Sequence, residues 1–67
     1  MDFDNILYEK RGRIAYVTLN RPEKLNAINL KMRDALMEAL SAFDKDEGAW
    51  VCVVQGAGRA FSVGLDL

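Results

Sequence analysis

The hydrophobic positions of this chain change period twice, from strand-like to helical and back. Ile6, Leu7 and Tyr8 form a short apolar segment that predicts a first strand over residues 3–9. Lys10, Arg11, Gly12 and Arg13 follow. Gly12 can take a positive φ at no steric cost, so the spacing predicts a hairpin turn there. Residues 14–19, IAYVTL, are rich in β-branched and aromatic side chains and predict a second strand. Ile14, Tyr16 and Thr18 share one face, and Ala15, Val17 and Leu19 the other. Both faces are largely apolar, so the strand is expected to be covered on both sides.

Pro22 fixes its own φ and biases Arg21 away from helix, which predicts a loop over 20–28, NRPEKLNAI. From Leu30 to about Asp46 the period becomes helical. Met32, Leu36, Leu40 and Phe43 make a stripe widened by Ala35 and Ala39, with Asn29 as the natural N-cap and Gly48 as the expected C-cap. Lys31 and Arg33 in the first turn, and Asp44, Asp46 and Glu47 around the last, oppose the helix macrodipole. The helix therefore depends on burying its stripe. Residues 50–55 read as a third strand, whose run Val51, Cys52, Val53, Val54 fits a parallel strand covered on both faces. Strand, helix and strand predict a right-handed βαβ unit, with the first strand added antiparallel through the Gly12 hairpin.

In such a unit the loops leaving the carboxyl ends of the parallel strands emerge on one side, where α/β folds bind ligands. These loops are 20–28 and 56–67, GAGRAFSVGLDL. The glycine-rich stretch is expected to offer free backbone N–H groups. Gly56 and Gly58 open a G-x-G-x-x-G pattern, but Phe61 occupies the third glycine position, which argues against a dinucleotide site. On residues alone, Gly56 and Gly58 also suit simple turns. Arg21, Lys24 and Arg59 also suit solvated surface, and Asn26 a turn or a cap. Phe61 is expected in the core.

Composition narrows the classes. The 67 residues carry nine Lys and Arg against ten Asp and Glu, a net charge of -1, with no histidine and one cysteine. This balance gives no electrostatic case for nucleic acid or a membrane surface. A histidine-free chain with one thiol is poorly equipped for zinc and cannot form an internal disulfide. Cys52, inside an apolar run, reads as a small hydrophobe. The first residues lack a basic region followed by an apolar one, so the expected location is cytoplasmic.

Asn20, Arg21, Pro22, Asn26 and Ala27, followed by Gly56, Gly58, Phe61, Ser62, Gly64, Asp66 and Leu67, resemble the paired motifs of the crotonase superfamily, the enoyl-CoA hydratase/isomerase family. The resemblance covers essentially the whole chain. It implies an α/β fold of crotonase-like type (the ClpP/crotonase ββα-repeat), of which residues 1–67 are the N-terminal part of a single domain truncated at its C-terminus. It implies acyl-CoA thioester chemistry through an enolate held in an oxyanion hole, by hydration of a trans-2-enoyl-CoA or by isomerisation. One oxyanion N–H falls on Leu65. Glu23, Lys24, Leu25 and Ala27 fall where the family holds coenzyme A. Val63, Gly64 and Leu65 fall beside the pantetheine and thioester, and Asp66 reads as an N-cap. Coenzyme A enters as part of the substrate, with no prosthetic group. The family further implies a homo-oligomer, trimer or hexamer, for the full-length protein. The second oxyanion donor and the catalytic carboxylates are expected outside these residues, so the 67-residue piece alone is expected to be inactive and poorly folded. The competing reading is a small α/β binding or structural module without chemistry, its glycines serving as turns.

Overall fold

The computed structural model describes residues 2, 3, 5–59, 61, 62 and 64, with side chains described from Asn5 onward. Strands β1 (Asp2–Phe3), β2 (Ile6–Arg11) and β3 (Ile14–Leu19) precede a 3-10 turn at Pro22–Lys24. Helix α1 (Leu30–Lys45) and strand β4 (Val51–Gly56) follow. Among the described residues these strands form one sheet in the order β1-β2-β3-β4. β1, β2 and β3 pair antiparallel, and β3 pairs parallel with β4 in a register that sets Leu19 beside Gly56.

Two strand boundaries differ from the expectation. The apolar segment expected as one strand over 3–9 is divided by Asn5, whose φ of 56° turns the chain between β1 and β2. β2 then runs on through Arg11 to a two-residue hairpin, Gly12–Arg13, that joins Arg11 to its partner Ile14. Gly12 carries the positive φ, 60°, at the first loop position, which matches the right-handed twist of the flanking strands.

Helix α1 begins as expected. Asn29 is the N-cap, its side-chain oxygen accepting the Met32 N–H at 2.8 Å. Met32, Ala35 and Ala39 are buried against Ile6, Tyr8, Ala15, Val17 and Leu19, and Ile28, Leu36, Leu40 and Phe43 pack around this core. The stripe thus supplies the helix stability that its end charges do not.

The helix ends on Asp46, not Gly48. Asp46 donates its N–H to the Phe43 carbonyl, accepts the Gly48 N–H on its side chain at 2.9 Å, and pairs with Lys10 of β2 at 3.0 Å. An aspartate side chain that captures an N–H two residues on closes the turn itself, so no left-handed glycine is needed. Lys10 and the Gly48 N–H hold the Asp46 carboxyl below the usual range.

The expectation that both faces of β3 and β4 are covered is corrected. Ala15, Val17 and Leu19 are buried under α1, while Ile14, Tyr16 and Thr18 are only half-buried. β4 is an edge strand, with Val51 and Val54 exposed. Its apolar run satisfies the signature of a two-sided strand, but within these residues one layer of helix covers one face.

The loops after β3 and β4 approach closely. Gly58 has φ +78°, and a Cβ there would lie 2.9 Å from the Pro22 Cβ. Gly58→Ala should therefore destabilise the protein by about 1–2 kcal/mol from the backbone conformation alone, with the contact adding to it. Gly48→Ala, where no left-handed φ is involved and the obstacles are side-chain atoms, the Lys10 Nζ at 2.8 Å and the Asp46 Oδ1 at 3.3 Å, should cost less. Denaturant midpoints compare the two, and equal losses would contradict the close approach. A second expectation concerns acid. Because the folded-state pKa of Asp46 is depressed, its stabilisation is present above the ordinary aspartate pKa of about 4 and is lost as pH falls through the lower folded value. Asp46→Asn should remove part of the acid-induced drop in Tm below about pH 4, and an unchanged acid profile would show that this carboxylate carries none of it.

Candidate functional site

The parallel register places the two loops together. β3 ends at Leu19 and β4 at Gly56, side by side, so both loops leave the same end of the sheet. The second loop turns onto the first at once, with the Ala57 N–H donating to the Leu19 carbonyl at 2.8 Å.

Asn26 sits at the junction with no exposed surface. Leu25 and Asn26 both have positive φ, 52° and 57°. Asparagine tolerates this region better than most residues, and leucine does not favour it, so surrounding bonds must hold the turn. Those bonds converge on Asn26. Its Oδ1 accepts the Arg21 N–H at 2.8 Å, and its own N–H donates to the Arg21 carbonyl at 2.8 Å. Its Nδ2 crosses to the second loop and donates to the Ala57 carbonyl at 2.8 Å. Its carbonyl accepts the Ser62 hydroxyl at 2.8 Å.

The outer part of the second loop is fastened as well. The Ser62 oxygen accepts the Gly64 N–H at 3.0 Å, and the Gly64 carbonyl accepts the Ile28 N–H at 2.9 Å. Gly64 has φ +103°. The Arg21 guanidinium wraps the first loop from inside and donates to the Ala27 carbonyl at 3.0 Å.

The expected site residues divide three ways. Glu23 and Lys24 lie exposed on the 3-10 turn, Leu25 and Ala27 are half-buried in the strained turn, and Gly64 is exposed at the outer end of the clamp. The structure brings these five to one end of the sheet. Val63, Leu65 and Asp66 lie outside the described residues. Phe61 departs from expectation: it is 58% exposed and not part of the core. The clamp closes on the Ala57 carbonyl, the Ser62 hydroxyl and the Gly64 carbonyl, so the ring between them is left outside.

Asn26, Ser62 and Arg21 are the residues that sequence reasoning undervalued. The signal available was the Asn-Ala step after a proline loop. It marks a turn but does not reveal a partner 31 residues away.

The first loop is not a row of free donors. The N–H groups of Lys24, Leu25, Asn26, Ala27 and Ile28 all bond to backbone carbonyls, and those of Ala57 and Gly64 are also engaged. The first loop therefore does not form an anion-binding nest. Lys24 is the exposed cation on the first loop. Among the described residues no group of three or more His, Cys, Asp or Glu could hold a metal, and no helix is long and apolar enough to cross a membrane. Burial pushes the Cys52 thiol up, which suppresses its thiolate and agrees with a packing role.

Comparison with known proteins matches this arrangement. The family model for enoyl-CoA hydratase/isomerase aligns with residues 9–67. A probable enoyl-CoA hydratase of Rhizobium meliloti is 40% identical over the whole chain, which covers 26% of that relative. A small ribosomal subunit protein of Schizosaccharomyces pombe is 41% identical over 96% of the chain, which covers 15% of that protein. The crystal structure of an enoyl-CoA hydratase/isomerase from Mycobacterium paratuberculosis superimposes with a TM-score of 0.93 at 45% identity, over 97% of this chain and 26% of that one. The chain thus spans about a quarter or less of the length of these relatives. With its ββα arrangement, its parallel β3–β4 pair and its clamped loops, the chain belongs to the enoyl-CoA hydratase/isomerase family, the crotonase superfamily.

Proposed function

We propose that residues 1–67 form the N-terminal part of a crotonase-like domain that binds an acyl-CoA thioester and promotes its reaction through an enolate. The reaction is hydration of a trans-2-enoyl-CoA or a shift of its double bond. The observation that carries this reading is the joining of the 20–28 and 56–64 loops at one end of the sheet through the buried Asn26. In our reading that end offers a surface for the CoA moiety on one loop and for the thioester on the other.

The chemistry follows from charge. A thioester carbonyl gains negative charge as the adjacent carbon becomes an enolate carbon. N–H donors fixed at that oxygen stabilise the charge where it develops, and they do so without reorganising. The Leu65 backbone N–H is one such donor in our reading, with Val63 and Gly64 forming the wall beside it. Glu23, Lys24, Leu25 and Ala27 face the CoA moiety, with the Lys24 ammonium available to its phosphates. Hydration then adds water across the conjugated double bond by general acid–base catalysis. No prosthetic group takes part, and the active form is a homo-oligomer.

The relatives' names limit what this segment decides. Names of hydratases, an acyl-carrier-protein isomerase, 3-hydroxyisobutyryl-CoA hydrolases and a ribosomal-subunit protein occur at 33–41% identity. The segment supplies a shared scaffold, and the choice of reaction belongs to residues elsewhere in the domain.

Crotonyl-CoA turnover by the intact protein tests the reading, followed as loss of the conjugated thioester. Leu65→Ala keeps the backbone donor and should retain activity to within several-fold. Leu65→Pro removes it and should lower kcat by about 10²–10³. Lys24→Ala should raise KM by about two- to fivefold, the loss of one exposed charge contact, with kcat little changed. A wild-type protein inert toward crotonyl-CoA and its double-bond isomers, or equal activity in the two Leu65 variants, would overturn the proposal.

A further inference from the structure

We infer that Asn26 and Ser62 are positioning residues that set the direction of the donor following Gly64, and so govern turnover more than substrate affinity. The inference rests on the oxyanion role proposed above. Gly64 is held at both ends of its residue, its N–H on the Ser62 oxygen and its carbonyl under the Ile28 N–H. A trans peptide is planar, with its C=O and N–H opposed. Whatever fixes the Gly64 carbonyl therefore also aims the N–H that shares its peptide plane.

Nothing in Gly64 itself would hold that plane. Glycine rotates freely, and this one is exposed with φ +103° and has no atom within 4 Å of where a Cβ would stand. The restraint has to come from the first loop, through two adjacent links. Ser62 hangs on the Asn26 carbonyl, and the Gly64 carbonyl hangs on Ile28. Asn26 fixes the position of both. Its carboxamide is a two-ended strut, accepting from Arg21 at one end and donating to Ala57 at the other. It is fully buried, so neither end can exchange its partner for water at the surface.

The strut specifies asparagine. An aspartate of the same shape keeps the acceptor toward Arg21 but, when ionised, sets an oxygen against the Ala57 carbonyl, where a donor is needed. Ser62→Ala is the milder change. It leaves the strut intact and removes only the hydroxyl that bridges Asn26 to Gly64.

The test compares wild type, Asn26→Asp and Ser62→Ala in the intact protein, with crotonyl-CoA as substrate. A displacement of the donor by a fraction of an ångström to an ångström should lower kcat by about 10–100-fold in Asn26→Asp and by less in Ser62→Ala. In Ser62→Ala KM should move by less than about threefold, because that change leaves the bonds within the first loop, where the CoA contacts lie, in place. Deuterium exchange at the Ile28 amide, read by NMR, should accelerate in both variants as the Gly64 carbonyl loosens. If Asn26→Asp does not fold, Ser62→Ala decides alone. Wild-type kcat in Ser62→Ala overturns the inference, and so does a rise in KM with kcat unchanged in either variant. A wild-type protein without turnover fails the enzyme reading instead, and accelerated Ile28 exchange in the variants would then show that the clamp itself stands.

Discussion

The buried carboxamide of Asn26 is the interaction on which the arrangement of the site depends. A polar group taken fully out of water is costly unless each end is bonded. Here the Arg21 N–H satisfies its oxygen and the Ala57 carbonyl its nitrogen. The same demand fixes the shape of both loops. It offsets the unfavourable left-handed conformations at Leu25 and Asn26, and it brings the second loop down until Gly58 meets Pro22. Hydrophobic burial builds the platform below, with Met32, Ala35 and Ala39 set onto one face of the sheet. That burial is non-directional and could not by itself define where a loop carbonyl points.

The platform was largely legible in the residues. Period-two and helical spacing located β3, α1 and β4 to within a residue or so, and Asn29 announced the helix start. What the pattern could not supply was depth. The run from Val51 to Val54 has the composition of a doubly covered strand, yet β4 is an edge with an open face, because coverage depends on what else packs there. Phe61 misled for a related reason. An aromatic in a loop was assigned to the core, but hydrogen bonds from the Ser62 hydroxyl and the Asn26 carboxamide close that loop and leave the ring 58% exposed. The Gly48 cap failed because Asp46 offers a side-chain acceptor that does the same work.

The site itself was legible only through the paired motifs, which brought the right loops together without saying how. A glycine-rich segment suggested spare N–H groups, and its amides at 57 and 64 are engaged, while in the loop beside it the whole run from 24 to 28 is engaged. Hydrogen-bond partners far apart in sequence leave no periodic trace. Asn26 and Ala57 become neighbours only because the helix between them returns the chain parallel to β3.

That dependence ties the loops to an edge strand of the sheet. Ala57 follows directly on β4, which is bonded to β3 on one side and is half-open to solvent. Strands of this kind open locally at lower free energy than the rest of a fold. Each excursion of β4 would carry Ala57 away from the Asn26 amide and slacken both loops together. Any surface that pairs with the outer edge of β4 or covers Val51 and Val54 would suppress such excursions. Assembly on that side of the sheet would then act on the loops at a distance, by lengthening the time they spend closed and without touching them.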